Sequence, residues 1–391
     1  MNLPDNIHSN SRIRLAIFCL YFCMGVCFSS WASRIPDIKA VLHLGDAAWG
    51  TILLMIPVGQ ACGMTLSGLL VSRIGSRRIL PISLTGYVLA LIIIGISATE
   101  YALIISLIIF GFFGNFCNIS INTQAVTLEA SYNRPIMSSF HGGWSLAGLI
   151  GAAFGLLMST LHFKPVYHFC IIGLIVLITL FINTKYLQTD LKKTKDPGNP
   201  AKKKSNKPEA FLYLLGIIAF FGMAAEGAMS DWNGLYLVDV VGTPNHLSPI
   251  GLAAYMITMA SGRFVIDKAT RKWGAQKVVQ TGGLLISTGL FVAVALPYFI
   301  TTLIGFMIIG FGTAGIVPTL YSIAGKKTNI STGIALTIVS SISFLGFLIG
   351  PPVIGYISSV TNLRYSYALI GLFGICIFIL ASKIKIFKKT G

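Results

Sequence analysis

The chain has 391 residues, of which 54% are hydrophobic and only 10% charged, against roughly 25% charged in an ordinary soluble chain. That balance excludes a soluble globular domain. The formal net charge of +17 would point to nucleic acid only if the basic residues lay together on a globular surface; they lie between apolar runs, so no nucleic-acid partner is needed to explain them.

A helix needs about 20 apolar residues to cross a hydrocarbon layer. Twelve runs meet that length, at 13–33, 48–70, 79–98, 102–127, 138–160 and 166–184, then 211–233, 248–267, 276–296, 299–323, 330–355 and 364–382. This predicts an all-α integral membrane protein of twelve transmembrane helices. A short polar stretch precedes the first run, which lacks a small-residue cleavage site, so the first helix is expected to stay in place.

Between the two sets of six lies 185–210, with eight lysines and three prolines. Such a segment buries too little surface to order itself and reads as a solvated linker. The expected organisation is a six-helix half over 1–184, a cytoplasmic basic linker over 185–210 and a second six-helix half over 211–391. Cytoplasmic loops are enriched in Lys and Arg. With the N-terminus inside, 25 basic residues, Arg263 among them, fall on that side and four on the other: Arg34, Lys39, Lys164 and Arg364. Both termini and the linker are therefore expected in the cytoplasm, with the lipid bilayer as the partner of most of the charge.

A shift of 199 residues lays Gly63 on Gly262, Gly75 on Gly274, Arg73 on Lys272 and Gly151 on Gly350. Two six-helix halves in parallel repeat, joined by a long cytoplasmic connection, describe one class of secondary transporter. The seven cysteines all fall inside predicted spans, so no disulfide framework is implied. Cys19, Cys23 and Cys27 recur every four residues, a spacing that suits a soft metal or, more simply, small residues packing a helix face; no metal is assigned.

The turn after the second run reads Gly68-Leu69-Leu70-Val71-Ser72-Arg73-Ile74-Gly75-Ser76-Arg77-Arg78. With it, the chain resembles a major facilitator superfamily (MFS) transporter over essentially its whole length. In that family an Asp stands where Ser72 is found. The second half keeps an acid in Gly262-Arg263-Phe264-Val265-Ile266-Asp267-Lys268, and the resemblance makes Arg73, Arg77 and Asp267 candidates for an inner lock. Trp31-Ala32-Ser33-Arg34-Ile35-Pro36, Arg134-Pro135-Ile136-Met137-Ser138-Ser139-Phe140-His141-Gly142 and Glu226-Gly227-Ala228-Met229-Ser230-Asp231-Trp232 are similar to the bacterial YbjJ-like and MosC-like group, and more distantly to the fucose-permease branch. The resemblance implies two halves in pseudo-twofold repeat, alternating access, and a site near the midplane between them.

Polar residues in spans are costly and functional by default. Asn115, Asn118 and Asn122 fall within about 60° of arc at 100° per residue, and Glu129 continues the stripe towards the cytoplasm. Amides offer donors and acceptors to a hydroxylated or zwitterionic solute, or bind neighbouring helices. Glu226 has no Lys or Arg within a turn of its own helix and is the candidate for proton coupling, since desolvation favours its protonated form; its structural alternative is a neutral or paired acid. Asp231 points elsewhere, nearer the outer surface, where water or Arg34 is its expected company. Gln60, Tyr21, Tyr255, Tyr321 and Trp232 are candidate cavity residues, His141 and Arg34 candidate gates. Gly310-Phe311-Gly312-Thr313-Ala314-Gly315 matches a dinucleotide fingerprint only in letters, with neither strand nor acidic partner around it. No enzyme motif, ATP drive or cofactor is read.

The expected function is alternating-access uptake of a small polar solute with protons, by a monomer in a bacterial inner membrane. Proton-driven efflux of a metabolite or drug is the alternative, and a non-transporting membrane sensor or scaffold the alternative of another class.

Overall fold

The computed structural model describes residues 9–129, 131–132, 136–189, 210–326 and 332–383. Most of the expected linker, Arg134 and Lys327 lie outside them, as do the side chains of His141 and Asp267. The chain before the linker forms α1 (Asn10–Ser33), α2 (Ile35–Val41), α3 (Asp46–Leu53), α4 (Met55–Ile74), α5 (Ser76–Ile96), α6 (Glu100–Glu129), α7 (Met137–Thr160) and α8 (Pro165–Thr184). Beyond it follow α9 (Ala210–Asp231), α10 (Asn233–Asp239), α11 (Pro249–Trp273), α12 (Ala275–Ala295), α13 (Phe299–Thr313), α14 (Ile316–Lys326), α15 (Thr332–Val360) and α16 (Leu363–Lys383).

Among the described residues, twelve helical stretches are long and apolar enough to cross a membrane, with mean hydropathy from 1.3 to 2.4. A helix satisfies its own backbone where there is no water to do so, which is why these apolar sequences take this form. Large apolar side chains such as Phe181 and Val360 stand outside the packed core at 85% and 82% exposure, as a lipid-facing surface requires and a soluble one would not tolerate.

The predicted spans recur within a few residues, with three corrections. The second is broken at Leu54 into α3 and α4, and the tenth at Ala314–Gly315 into α13 and α14. Arg263, assigned above to the cytoplasmic basic group, lies ten residues before the end of α11, inside the spanning stretch Asn245–Ile266. At 1.5 Å per residue that places it roughly 15 Å from the helix end.

Contacts divide the chain into two compact units. In the first, α1, α2 and α4–α8, the main packings are α1 on α7, α4 on α6, α5 on α6 and α5 on α8. In the second, α3 and α9–α16, α9 packs on α15, α11 and α12 on α13, and α12 on α16. There α3 lies against α15: Ser358 Oγ donates to Asp46 Oδ2, and Thr51 Oγ1 donates to the Tyr356 hydroxyl at 3.2 Å.

The 199-residue repeat reaches the backbone. Gly75, between α4 and α5, has φ 96°, and Gly274, between α11 and α12, has φ 84°. Both precede the first residue of a helix in a conformation that L side chains rarely adopt. Gly75→Ala and Gly274→Ala are each expected to lower stability by about 1 kcal/mol, read as the same drop in thermal midpoint for both; a drop at one site alone would deny the equivalence of the turns.

Candidate functional site

In the first unit the asparagine stripe separates into two parts. Asn115 is buried and accepts a hydrogen bond from Ser67 Oγ at 2.8 Å, joining α6 to α4. Asn118 is exposed and Asn122 half-buried. Asn122 Nδ2 donates to both the carbonyl and the side-chain oxygen of Asn118 at 2.7 Å, while its own Oδ1 accepts from the Tyr21 hydroxyl at 2.7 Å. Tyr21 in turn stacks on Phe140 of α7, ring centroids 5.5 Å apart. The chain Tyr21–Asn122–Asn118 thus runs from a buried aromatic stack to an exposed amide, with the Asn118 side-chain nitrogen still available as a donor. Gln60 is half-buried on α4. Tyr21→Phe is expected to cost about 1 kcal/mol, seen as a lower thermal midpoint in detergent, because it leaves Asn122 Oδ1 without its donor.

At the end of α6, Glu129 Oε2 accepts from the Ile136 backbone N–H at 2.7 Å and so closes the turn into α7. Arg73 and Arg77 are exposed. Ser72, at the position of the family's Asp, donates back to the Leu69 carbonyl at 2.8 Å within its own helix. Gln124 carried no signal in the sequence beyond its polarity, yet its side chain is a hub. Its nitrogen donates to Ser76 Oγ and to the Gln188 carbonyl at 2.7 Å, and its oxygen accepts from the Gln188 N–H at 2.8 Å. That ties α6 to the start of α5 and to the chain leaving α8.

Arg34, just past α1, is buried at 2% exposure. Its Nε pairs with Asp37 Oδ2 at 2.7 Å and its Nη2 donates to the Phe163 carbonyl at 2.5 Å, between α7 and α8. Burial pushes the guanidinium down from its usual range and the Asp37 carboxyl up, each opposed by the other's charge. Desolvation outweighs the attraction on both sides of the pair.

In the second unit the decisive contact is between helices. Glu226 Oε1 of α9 lies 3.6 Å from Arg263 Nη2 of α11, with the two side chains 18% and 26% exposed. Glu226, with no cation within a turn of its own helix, is ion-paired across helices, through a residue counted with the cytoplasmic basic group. Tyr255 and Tyr321 are within electrostatic reach of Glu226. The Tyr255 hydroxyl shares a hydrogen bond with Thr313 Oγ1 at 3.0 Å, and Tyr321 shares one with Ser343 Oγ at 2.9 Å. Asp231 is not at a watery surface: it is 6% exposed, and Trp232 beside it is fully buried. The α10 helix, starting at Asn233, continues from this end of α9, with the Trp232 N–H donating to the Ala228 carbonyl and the Tyr236 N–H to the Trp232 carbonyl.

A family model described as Major Facilitator Superfamily matches residues 17–328 and 235–386. The chain belongs to the Major Facilitator Superfamily. It is 28% identical over 352 residues to an uncharacterized MFS-type transporter of Yersinia pestis, covering 90% of each chain. To the membrane protein MosC of Rhizobium meliloti it is 28% identical over 361 residues, covering 91% of this chain and 87% of MosC. Among solved MFS structures it superposes on the nucleoside transporter NupG with a TM-score of 0.75 at 14% identity, over 95% of this chain and 99% of NupG. It also superposes on a bacterial homolog of the human lysosomal transporter Spinster, inward-facing and occupied, with a TM-score of 0.74 at 17% identity and 97% of each chain. At those identities the likeness is one of fold: twelve membrane helices arranged as in other MFS proteins.

Proposed function

We propose that this protein moves a small polar organic solute across the bacterial inner membrane by alternating access, in the uptake direction and coupled to protons. In this reading 1–184 and 211–391 are the moving halves, 185–210 is their tether, and the linker and both termini are cytoplasmic. The observation that carries it is the Glu226–Arg263 pair within otherwise apolar spans. Charges inside a membrane helix are retained where they act on a solute or an ion. A carboxylate facing a guanidinium gives a simple coupling device, because a proton on Glu226 releases Arg263 to a solute acceptor, and departure of the proton restores the pair. Asn118 and Asn122 add amide donors and acceptors suited to a hydroxylated solute.

Solute flux into proteoliposomes with an imposed pH gradient tests this. Uptake is expected to be concentrative when the outside is acidic, and Glu226→Gln is expected to abolish accumulation while leaving downhill exchange. Accumulation that survives in Glu226→Gln overturns the coupling role of that residue. Flux driven outward by the same gradient supports efflux instead, and no movement of any polyol, sugar or amino-acid derivative supports a sensor.

A further inference from the structure

Asp231 ends α9 five residues beyond Glu226 and keeps different company. It is 6% exposed, and among the described residues neither a basic group nor a hydrogen-bond donor pairs with its carboxyl. The Trp232 Nε1, Asn233 Oδ1 and Tyr367 hydroxyl atoms are likewise buried without partners. Buried polar atoms left unpaired are uncommon, and each calls for an explanation in function as well as in stability.

The titratable groups on the helices packed against α9 separate into those engaged elsewhere and those that face this end. Arg263 and Tyr255 of α11 belong to the Glu226 pair and to Thr313, Tyr321 of α14 to Ser343, and Tyr356 of α15 to Thr51. On α10, Asp239 is exposed, and Tyr236 gives its hydroxyl to the Ala293 carbonyl at 2.9 Å. On α16, Arg364 is exposed and donates through Nε to the Val294 carbonyl at 2.5 Å; its charge reaches Tyr236. Tyr367 remains. It stacks on Tyr236 with ring centroids 4.3 Å apart and lies within electrostatic reach of Asp231.

We infer that Asp231 is a second proton-exchanging carboxyl of this transporter, separate from the Glu226–Arg263 pair. The inference rests on the transport reading above and adds a second acid of a different kind. Glu226 can exchange its proton for a cation already in place. A carboxyl 6% exposed and without a counter-ion has only a proton with which to cancel its charge. The step is a plain protonation: the carboxylate takes one proton when its side of the membrane is proton-rich and returns it on the other side, with no other bond made or broken.

Infrared difference spectra of the full-length protein in liposomes, recorded across a pH step through the neutral range, test the assignment. The wild type is expected to show a carboxylic-acid C=O band that appears on acidification and shifts in deuterated buffer. That band is expected to be lost in Asp231→Asn, displaced in Asp231→Glu and kept in Glu226→Gln. The same bands in wild type and Asp231→Asn overturn the inference, as does a band that Asp231→Glu leaves unmoved. Should Asp231→Asn not fold, the Asp231→Glu displacement decides alone. No solute enters the measurement, so an absence of flux with every candidate solute, which would sink the transport reading, is seen separately from these bands.

Discussion

Glu226→Leu is expected to lower stability by roughly 3 kcal/mol, the low end of what severing a buried ion pair costs, because both side chains keep some exposure. Arg263→Leu is expected to cost a similar amount at neutral pH and less in acid. The asymmetry is chemical. An isolated carboxyl can discharge by binding a proton, whereas a guanidinium stays charged at every working pH. The deficit of Arg263→Leu is therefore present while Glu226 is ionised and fades as pH falls, and the deficit of Glu226→Leu does not change. The double variant, with neither charge left in the span, is expected to recover most of the loss and to remain unable to accumulate solute. Denaturation in detergent at two pH values reads all of this; single-variant losses that simply add in the double would show that the two charges do not interact.

The architecture was legible in the sequence and the electrostatics was not, for a physical reason. Apolar length is a local signal, so each span could be placed within a few residues. Which charge faces which is not local. Glu226 and Arg263 are 37 positions apart on different helices, and the residues within one turn of Glu226 carry no trace of its partner. Arg263 was drawn into the cytoplasmic group by Lys268, Arg271 and Lys272 after it, although α11 carries all four along one continuous helix. Asp231 lies where a span ends, which suggests water; its burial comes from helices far from it in sequence, which pack around α9. Periodicity did put Asn115, Asn118 and Asn122 on one arc, but whether an amide faces a neighbour or open space depends on that neighbour. Ser67 takes Asn115 out of the set.

The repeat shows what was duplicated and what diverged. At the 199-residue shift, Glu226 corresponds to Cys27, Asp231 to Ala32, Arg263 to Met64 and Tyr255 to Ile56, while Asn118 corresponds to Val317 and Asn122 to Tyr321. The polar chemistry is thus separate in the two units, amides and a tyrosine in one and charges with two tyrosines in the other. Two close-packing pairs do correspond, Gly63 with Gly262 and Gly111 with Gly310, so the shift keeps part of the helix packing and not these polar groups.

Gly111 and Gly310 are one such pair, and neither leaves room for a side chain. A Cβ added at Gly111 would land on the Ile56 carbonyl and within 3.1 Å of the Gln60 nitrogen; at Gly310 it would land on the Tyr255 carbonyl and within 3.0 Å of the Met259 nitrogen. These are corresponding atoms of corresponding helix pairs, α4 with α6 and α11 with α13. At Gly310 the Thr258 hydroxyl is also in the way, but in both cases backbone blocks the position, and backbone cannot swing aside as a side chain does. Gly111→Ala and Gly310→Ala are expected to cost about 2 to 3 kcal/mol each, at the upper end of ordinary overpacking, and the valine variants more. Gly68→Ala provides the contrast, since a Cβ there meets nothing within 4 Å and alanine is the better helix former by up to about 1 kcal/mol. Thermal midpoints in detergent should therefore fall for the first two and hold or rise for the third. Gly310→Ala carries a further consequence, because α13 also brings Thr313 to Tyr255, and forcing α11 and α13 apart shifts that tyrosine beside Glu226. Accumulation is expected to fall by more than the loss of folded protein accounts for in Gly310→Ala, and only in proportion to it in Gly111→Ala, where no charge pair depends on the helix spacing.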